Sequence, residues 1–274
     1  MKISKKIIAI SAVIIVFVIS SLIFLGFKFL QHEQNQNMQI IELQQQITMI
    51  KSNYSSNKEA MEFSQKCQQA GYSYLAIGNS ITRHPLCDYW WNDCGMAATV
   101  KENDYYHKVV KYLEDKYSDV NSESYGFATW ERLHTDRAET LTMIEPYLNE
   151  NIDLITVQLG ENAVELATFE SDFEYLITYI TQESPDAEII VIGDVWEYNG
   201  RDAMKKEAAE KCGVIFVDMS EIKDNSVYQC GMGTVVYDAD GNTHTVEHEG
   251  VAKHPGDLGM QYMADAIISA LENK

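Results

Sequence analysis

A parallel α/β domain carried on an N-terminal transmembrane helix is the architecture this sequence predicts, on three observations. From residue 72 onward short apolar runs alternate with amphipathic helical stripes, the pattern of a parallel sheet with right-handed crossovers. Ile7 to Leu25 is a run of nineteen residues without a charge, long enough to span a bilayer. Between the two, Gln31 to Gln69 is rich in Gln, Asn, Ser and Lys. The expected division is an anchor over residues 1–30, a polar, partly helical stalk over 31–69, and a domain over 70–274.

Lys2, Lys5 and Lys6 precede the uncharged run, which favours a cytoplasmic amino terminus and an extracellular domain. A cleaved signal peptide is the competing reading, but the run is long and no clear Ala-x-Ala site follows. In the stalk, Ile40, Leu43, Ile47 and Ile50 keep a coiled-coil spacing for barely two heptads, too short for a sustained coiled coil. The net charge is −20, and the only charged side chains in the first 30 residues are lysines, so the rest is more acidic still. Such a domain repels nucleic acid, which is not expected as a partner. Hydrophobic residues make up 46% of the chain and aromatics 11%, enough for a packed core.

In chain order, Tyr74-Leu75-Ala76-Ile77 reads as a buried strand ended by Gly78, which leaves Ser80 on the turn at the sheet's carboxyl edge. Open α/β sheets place their ligands at that edge. A long loop follows, Arg83 to Ala98, with His84, Asp88, Tyr89, Trp90 and Trp91. Its aromatics either face a sugar ring or fold under the loop as a satellite core. Tyr105, Val109, Val110, Tyr112 and Leu113 mark a helix, and Ser124 to Phe127 a short strand. Leu141, Ile144 and Leu148 extend a helical stripe back to about Trp130, with Asp136 and Arg137 as an ion pair or a solvated face.

Asp153 to Leu159 is a second clear buried strand, and it delivers Gly160-Glu161-Asn162. A helix on Phe173, Leu176, Ile177 and Ile180 closes at Pro185, and Glu188 to Gly193 is the next strand, with Asp194 and Trp196 just beyond it as candidates to line the cleft. A polar helix from Arg201 to Cys212 is capped by Gly213, and Val214 to Val217 gives a fifth strand. Val235 to Val246 reads as a β-hairpin. Asp238, Asp240, Asn242 and Glu249 fall at calcium-loop positions, but Thr243 stands where that loop needs glycine, so the hairpin is preferred and no metal or cofactor is expected. Met263, Ala266, Ile267, Ala270 and Leu271 define a closing helix. Cysteines 67, 87, 94, 212 and 230 match no tight zinc pattern. Cys87–Cys94 or Cys212–Cys230 pairing and small buried thiols both remain open.

A serine on such a turn is a nucleophile only where a base takes its proton and donors receive the oxyanion. His254-Pro255 before the last helix and Asn162 after the second buried strand offer both. Gly78-Asn79-Ser80, Gly160-Glu161-Asn162 and His254-Pro255, in this order, resemble the SGNH (GDSL-type) hydrolases, serine esterases and acyltransferases, over about Tyr72 to the end. The resemblance implies a flavodoxin-like, five-stranded parallel sheet of order 2-1-3-4-5. It implies Ser80 as nucleophile, His254 as base, and an oxyanion hole from the Ser80 amide, Gly126 and the Asn162 side chain. The family's fifth block carries an aspartate three residues before the histidine, and here that position is Val251. A backbone carbonyl, water, Glu249 or Asp257 would have to orient the imidazole instead, although Asp257 also suits an amino-terminal cap of the last helix. The resemblance therefore implies an esterase removing acetyl or other small acyl groups from a surface glycan. An O-acyltransferase on such a glycan, or an inactive glycan-binding module of the same fold, are the alternatives.

Overall fold

Five parallel strands organise residues 57–273, the residues described by the computed structural model. They are β1 (Tyr72–Gly78), β2 (Val120–Gly126), β3 (Leu154–Gln158), β4 (Glu188–Ile192) and β5 (Ile215–Val217), paired in the order β2-β1-β3-β4-β5. This is the expected order. Side chains on these strands alternate between two cores, as strand geometry requires. Leu75, Ile77, Ile189 and Val191 enter one, and Tyr74, Ala76, Ile190 and Ile192 the other.

The helices divide between the two faces. A helix α1 (57–67) sends Ala60, Phe63 and Cys67 into the first core, beside α5 (Phe169–Glu183) and α6 (Arg201–Cys212). On the other face α2 (Tyr105–Lys116) and α8 (Asp257–Glu272) pack through Tyr105, Val109, Met263 and Ile267. Asp104 caps α2 by accepting from His107 N at 2.7 Å. Gly213, at φ 71°, closes α6 as expected.

Three expectations are corrected. The stalk does not extend to residue 69, because α1 buries its apolar side in the domain core and the folded unit begins at Glu59. The anchor (1–30) and stalk residues 31–56 lie outside the described residues, among which no helix is long and apolar enough to cross a membrane. The helix expected from Trp130 to Leu148 is instead α3 (Ala128–Arg132), α4 (Arg137–Thr140) and two 3₁₀ turns. Pro146 removes a helical donor. The buried Arg137 guanidinium sits over Trp130 and Phe169 and pairs with Asp172 at 2.7 Å, which fixes the break before it; its partner is Asp172, not Asp136.

A third, smaller core lies under the loop after β1. Trp90, Cys94, Met96 and Ala97 from that loop meet Val236 of β6 (Val235–Tyr237), Val246, and Val251 and Ala252 of α7 (Glu249–Ala252). The hairpin pairs β6 with β7 (Thr243–Thr245), and Asp238 accepts from Asn242 N and from His244 Nε2 across its turn. All five cysteines are free thiols.

Asp194, just past β4, is fully buried and bonds Arg201 Nε at 2.6 Å and Lys205 Nζ at 2.7 Å. It docks α6 on the sheet rather than lining the cleft. Asp194→Asn would leave two buried cations without a full counter-charge, a loss of about 3–5 kcal/mol in unfolding free energy measured by urea titration. A loss under about 1 kcal/mol would show that the triad is not anchoring α6.

Candidate active site

Gly78 ends β1 where the chain folds sharply back. A Cβ there would lie 1.9 Å from Thr82 Oγ1 and 2.8 Å from the Gln158 carbonyl, so only glycine permits the turn. Asn79 closes it: its Oδ1 accepts from Ile81 N at 3.0 Å, an Asx turn that holds Ser80 between the two. Ser80 is half-buried at the carboxyl edge of the sheet. Among the described residues its own N–H has no acceptor, which leaves it free to donate to a substrate oxygen.

His254 arrives from the other end of the chain. Ser80 Oγ lies 2.8 Å from His254 Nε2, and His254 Nδ1 lies 2.8 Å from the Gly250 carbonyl oxygen. A carbonyl only accepts, so Nδ1 carries the proton and Nε2 is the acceptor facing the serine. That is the tautomer a general base needs. Trp196 packs edge-on against the ring at 5.0 Å and donates its Nε1–H to the Lys253 carbonyl at 3.2 Å. Burial pushes the imidazole pKa down to about 4. The Gly250 carbonyl opposes this, while His84 and His248 add to it.

The imidazole is thus held by a main-chain carbonyl, where the resemblance would put an acid. Val251 is buried in the satellite core and does not face the imidazole. Asp257 is spent elsewhere: it accepts from Thr99 N, Thr99 Oγ1 and Asn103 Nδ2, tying α8 to the loop before α2. Gly256, not Asp257, is the cap of α8. Glu249 opens α7 as an exposed side chain, and the nitrogen it would have to accept from is already bonded to Gly250.

Gly160, at φ 136°, turns the chain out of the strand region and brings Asn162 beside the Ser80 turn. Asn162 Nδ2 donates to Glu131 Oε2 at 2.5 Å, and Asn79 Nδ2 donates to Glu131 Oε1 at 3.0 Å. The same Asn79 amide donates to Glu161 Oε2 at 2.8 Å. Burial pushes the Glu161 carboxyl up to about 7; Lys205 opposes this, Asp194 and Glu131 reinforce it, and Arg201 opposes it. Its Oε1 is shut off from solvent with no partner among the described residues. Gly126 stands opposite Gly78 in the ladder. Phe127 N, however, takes the bond to the Gly78 carbonyl. Alternate amides of a parallel strand face opposite sides, so the Gly126 N–H is directed away from β1 and out of the oxyanion position the resemblance implied.

Sequence reasoning missed Glu131. Nothing in its spacing marks it, and a lone glutamate in a helical stripe reads as a solvated residue; the only available signal is two asparagines, at 79 and 162, that both need an acceptor. Of the loop aromatics, Trp90 is buried in the satellite core, Trp91 stacks on His244 at 4.4 Å, and Tyr89, 40% exposed, stacks on His248 at 4.3 Å.

No family model matches the sequence, and no curated protein matches it. Solved structures do. A GDSL-like lipase from Bacteroides ovatus aligns over 75% of this chain and 100% of its own at 14% identity, with a TM-score of 0.51. A two-domain esterase active on acetylated mannans aligns over 77% of this chain and 52% of its own, at 16% identity and a TM-score of 0.49. An acetyl xylan esterase from Geobacillus stearothermophilus aligns over 73% of this chain and 94% of its own, at 18% identity and a TM-score of 0.43. The first of these matches shows that the chain has the SGNH/GDSL hydrolase fold, with a serine and a histidine in contact at the edge of the sheet where open α/β folds place their ligands.

The pKa of His254 has a kinetic consequence. A general base must be neutral to act, so with His254 in that role kcat/KM should hold as pH falls from 7 to 5 and decline only near 4. An exposed imidazole would give that limb at about 6.5. The rate of hydrolysis of an uncharged aryl acetate from pH 3.5 to 8 decides between them. A limb between about 6 and 7 would mean that the ring is hydrated or paired with an acid.

Proposed function

We propose that this protein is a serine esterase that removes acetyl or other small acyl groups from a glycan outside the cell, held at the membrane by its N-terminal segment. The 2.8 Å contact between Ser80 Oγ and His254 Nε2, with Nδ1 bound to a carbonyl, carries the reading. An inactive module of the same fold has no need to keep a serine, a base and the reactive tautomer in register.

In the proposed reaction Ser80 Oγ attacks the ester carbonyl while His254 Nε2 takes its proton. The carbonyl oxygen becomes an oxyanion that accepts from the Ser80 amide and the Asn162 side chain. The tetrahedral intermediate collapses as His254 returns the proton to the departing sugar hydroxyl. Water, deprotonated by His254, then attacks the acyl-serine and releases the free acid. Tyr89, exposed beside His248, suits contact with a sugar ring. No charged group is needed to hold the acyl chain.

Ser80→Ala and His254→Ala should each abolish hydrolysis of an aryl acetate, and the double variant should be little worse than either alone, because the pair acts as one unit. A serine variant keeping more than about a tenth of the native rate would sink the mechanism. Fluorophosphonate should label Ser80 in the native protein.

The location rests on the uncharged Ile7–Leu25 run and the lysines before it. Protease added to intact cells should digest residues 31–274 and spare the first few. Recovery of the intact domain from the cytoplasm would overturn both the anchor and the extracellular glycan.

A further inference from the structure

Glu131 is 1% exposed, lies on α3 and takes no part in the chemistry above. Its carboxylate nevertheless gathers the active-site loops. Oε1 accepts from Asn79 Nδ2 at 3.0 Å, Gly160 N at 2.5 Å and Asn162 N at 3.4 Å, and Oε2 accepts from Asn162 Nδ2 at 2.5 Å. Every bond is donated toward it. These donors come from the two turns that carry Ser80 and Asn162.

An asparagine side chain has a donor end and an acceptor end of nearly the same shape, and its surroundings decide which way it faces. An ionised carboxylate is acceptor-only, so it draws the NH₂ end of both Asn79 and Asn162. For Asn162, one amide hydrogen goes to Glu131 and the second is left for the substrate oxygen. For Asn79, the NH₂ end goes to the carboxyls, so its Oδ1 is left to close the Asx turn that presents Ser80. A buried carboxylate holding several N–H bonds is costly to disturb, which makes the orientation rigid.

We propose that Glu131 is a positioning residue of the active site, which fixes the donor end of Asn162 toward the oxyanion and the acceptor end of Asn79 toward the Ser80 turn. This rests on the esterase reading and extends it to a residue outside the three motifs. Glutamine at 131 keeps the shape but offers an NH₂ at one end. With its oxygen toward the three donors on the Oε1 side, that NH₂ meets Asn162 and turns the asparagine over, withdrawing the N–H from the substrate.

The test is a cycle of Glu131→Gln, Asn162→Ala and the double variant, with kcat and KM for an aryl acetate and thermal unfolding of each protein. Asn162→Ala should lower kcat by about 100- to 1000-fold, as loss of an oxyanion donor does, with KM little changed. Glu131→Gln should lower kcat by about 10- to 100-fold through the same donor, with KM and the acid limb of the pH profile unmoved. The double variant should be within about threefold of Asn162→Ala, because Glu131→Gln keeps an acceptor on the Asn79 side and acts through Asn162. Glu131→Asp, which keeps the charge but shortens the reach, replaces glutamine in the cycle if the latter does not fold, and it should show the same non-additivity.

Losses that multiply across the cycle, or a native kcat in folded Glu131→Gln or Glu131→Asp, would overturn the proposal while leaving the esterase reading intact. An inactive native protein would end both.

Discussion

Carboxyl groups buried under the carboxyl edge of the sheet must each find donors, and that requirement shapes the site more than any contact with solvent does. Asp194 is satisfied by Arg201 and Lys205, which draws α6 against β4. Glu131 is satisfied by the turns after β1 and β3, which draws α3 beneath them. Glu161 keeps one oxygen without a partner among the described residues, and its raised pKa follows from that burial. An aspartate in place of Asn79 would set a third acidic group against Glu131 and Glu161, and the amide present there is what lets the two glutamates approach one turn.

His254 is brought to Ser80 by different means. The loop after β1 tucks Trp90, Cys94 and Met96 against the hairpin and α7, so the loop that follows Ser80 and the helix before His254 share a core. Two residues 174 apart in sequence thereby face each other across one small packed cluster. Dispersion and burial hold the site closed here, where ion pairing holds it below.

Much of this was legible in the sequence. The strands buried on both faces read as short apolar runs, and the glycines at 78 and 160 mark where the chain must turn sharply or adopt a positive φ. Ser80, Asn162 and His254 stand beside such punctuation, so local pattern reveals them. Glu131 stands in a segment whose helical stripe breaks for tertiary reasons, since Pro146 and the buried Arg137 override its periodicity. A side chain's partners across 29 or 52 residues leave no trace in spacing, which is why Glu131 emerges only in three dimensions. Val251 shows the converse. Its position suggested a missing acid, but the side chain at that position faces a core, and the substitute is a backbone atom that no residue type announces.

The carbonyl of Gly250 differs from a carboxylate in ways that reach beyond orientation. It takes up no proton in the accessible pH range, so it keeps its grip on the imidazole in acid where an aspartate would let go. It also belongs to no side chain, and point substitution cannot delete it. What it depends on is the winding of the chain from α7: one residue inserted between Gly250 and His254 would swing the acceptor by about 100°. This half of the site therefore depends on segment length rather than on residue identity, and what must be kept is the four-residue step from Gly250 to the histidine.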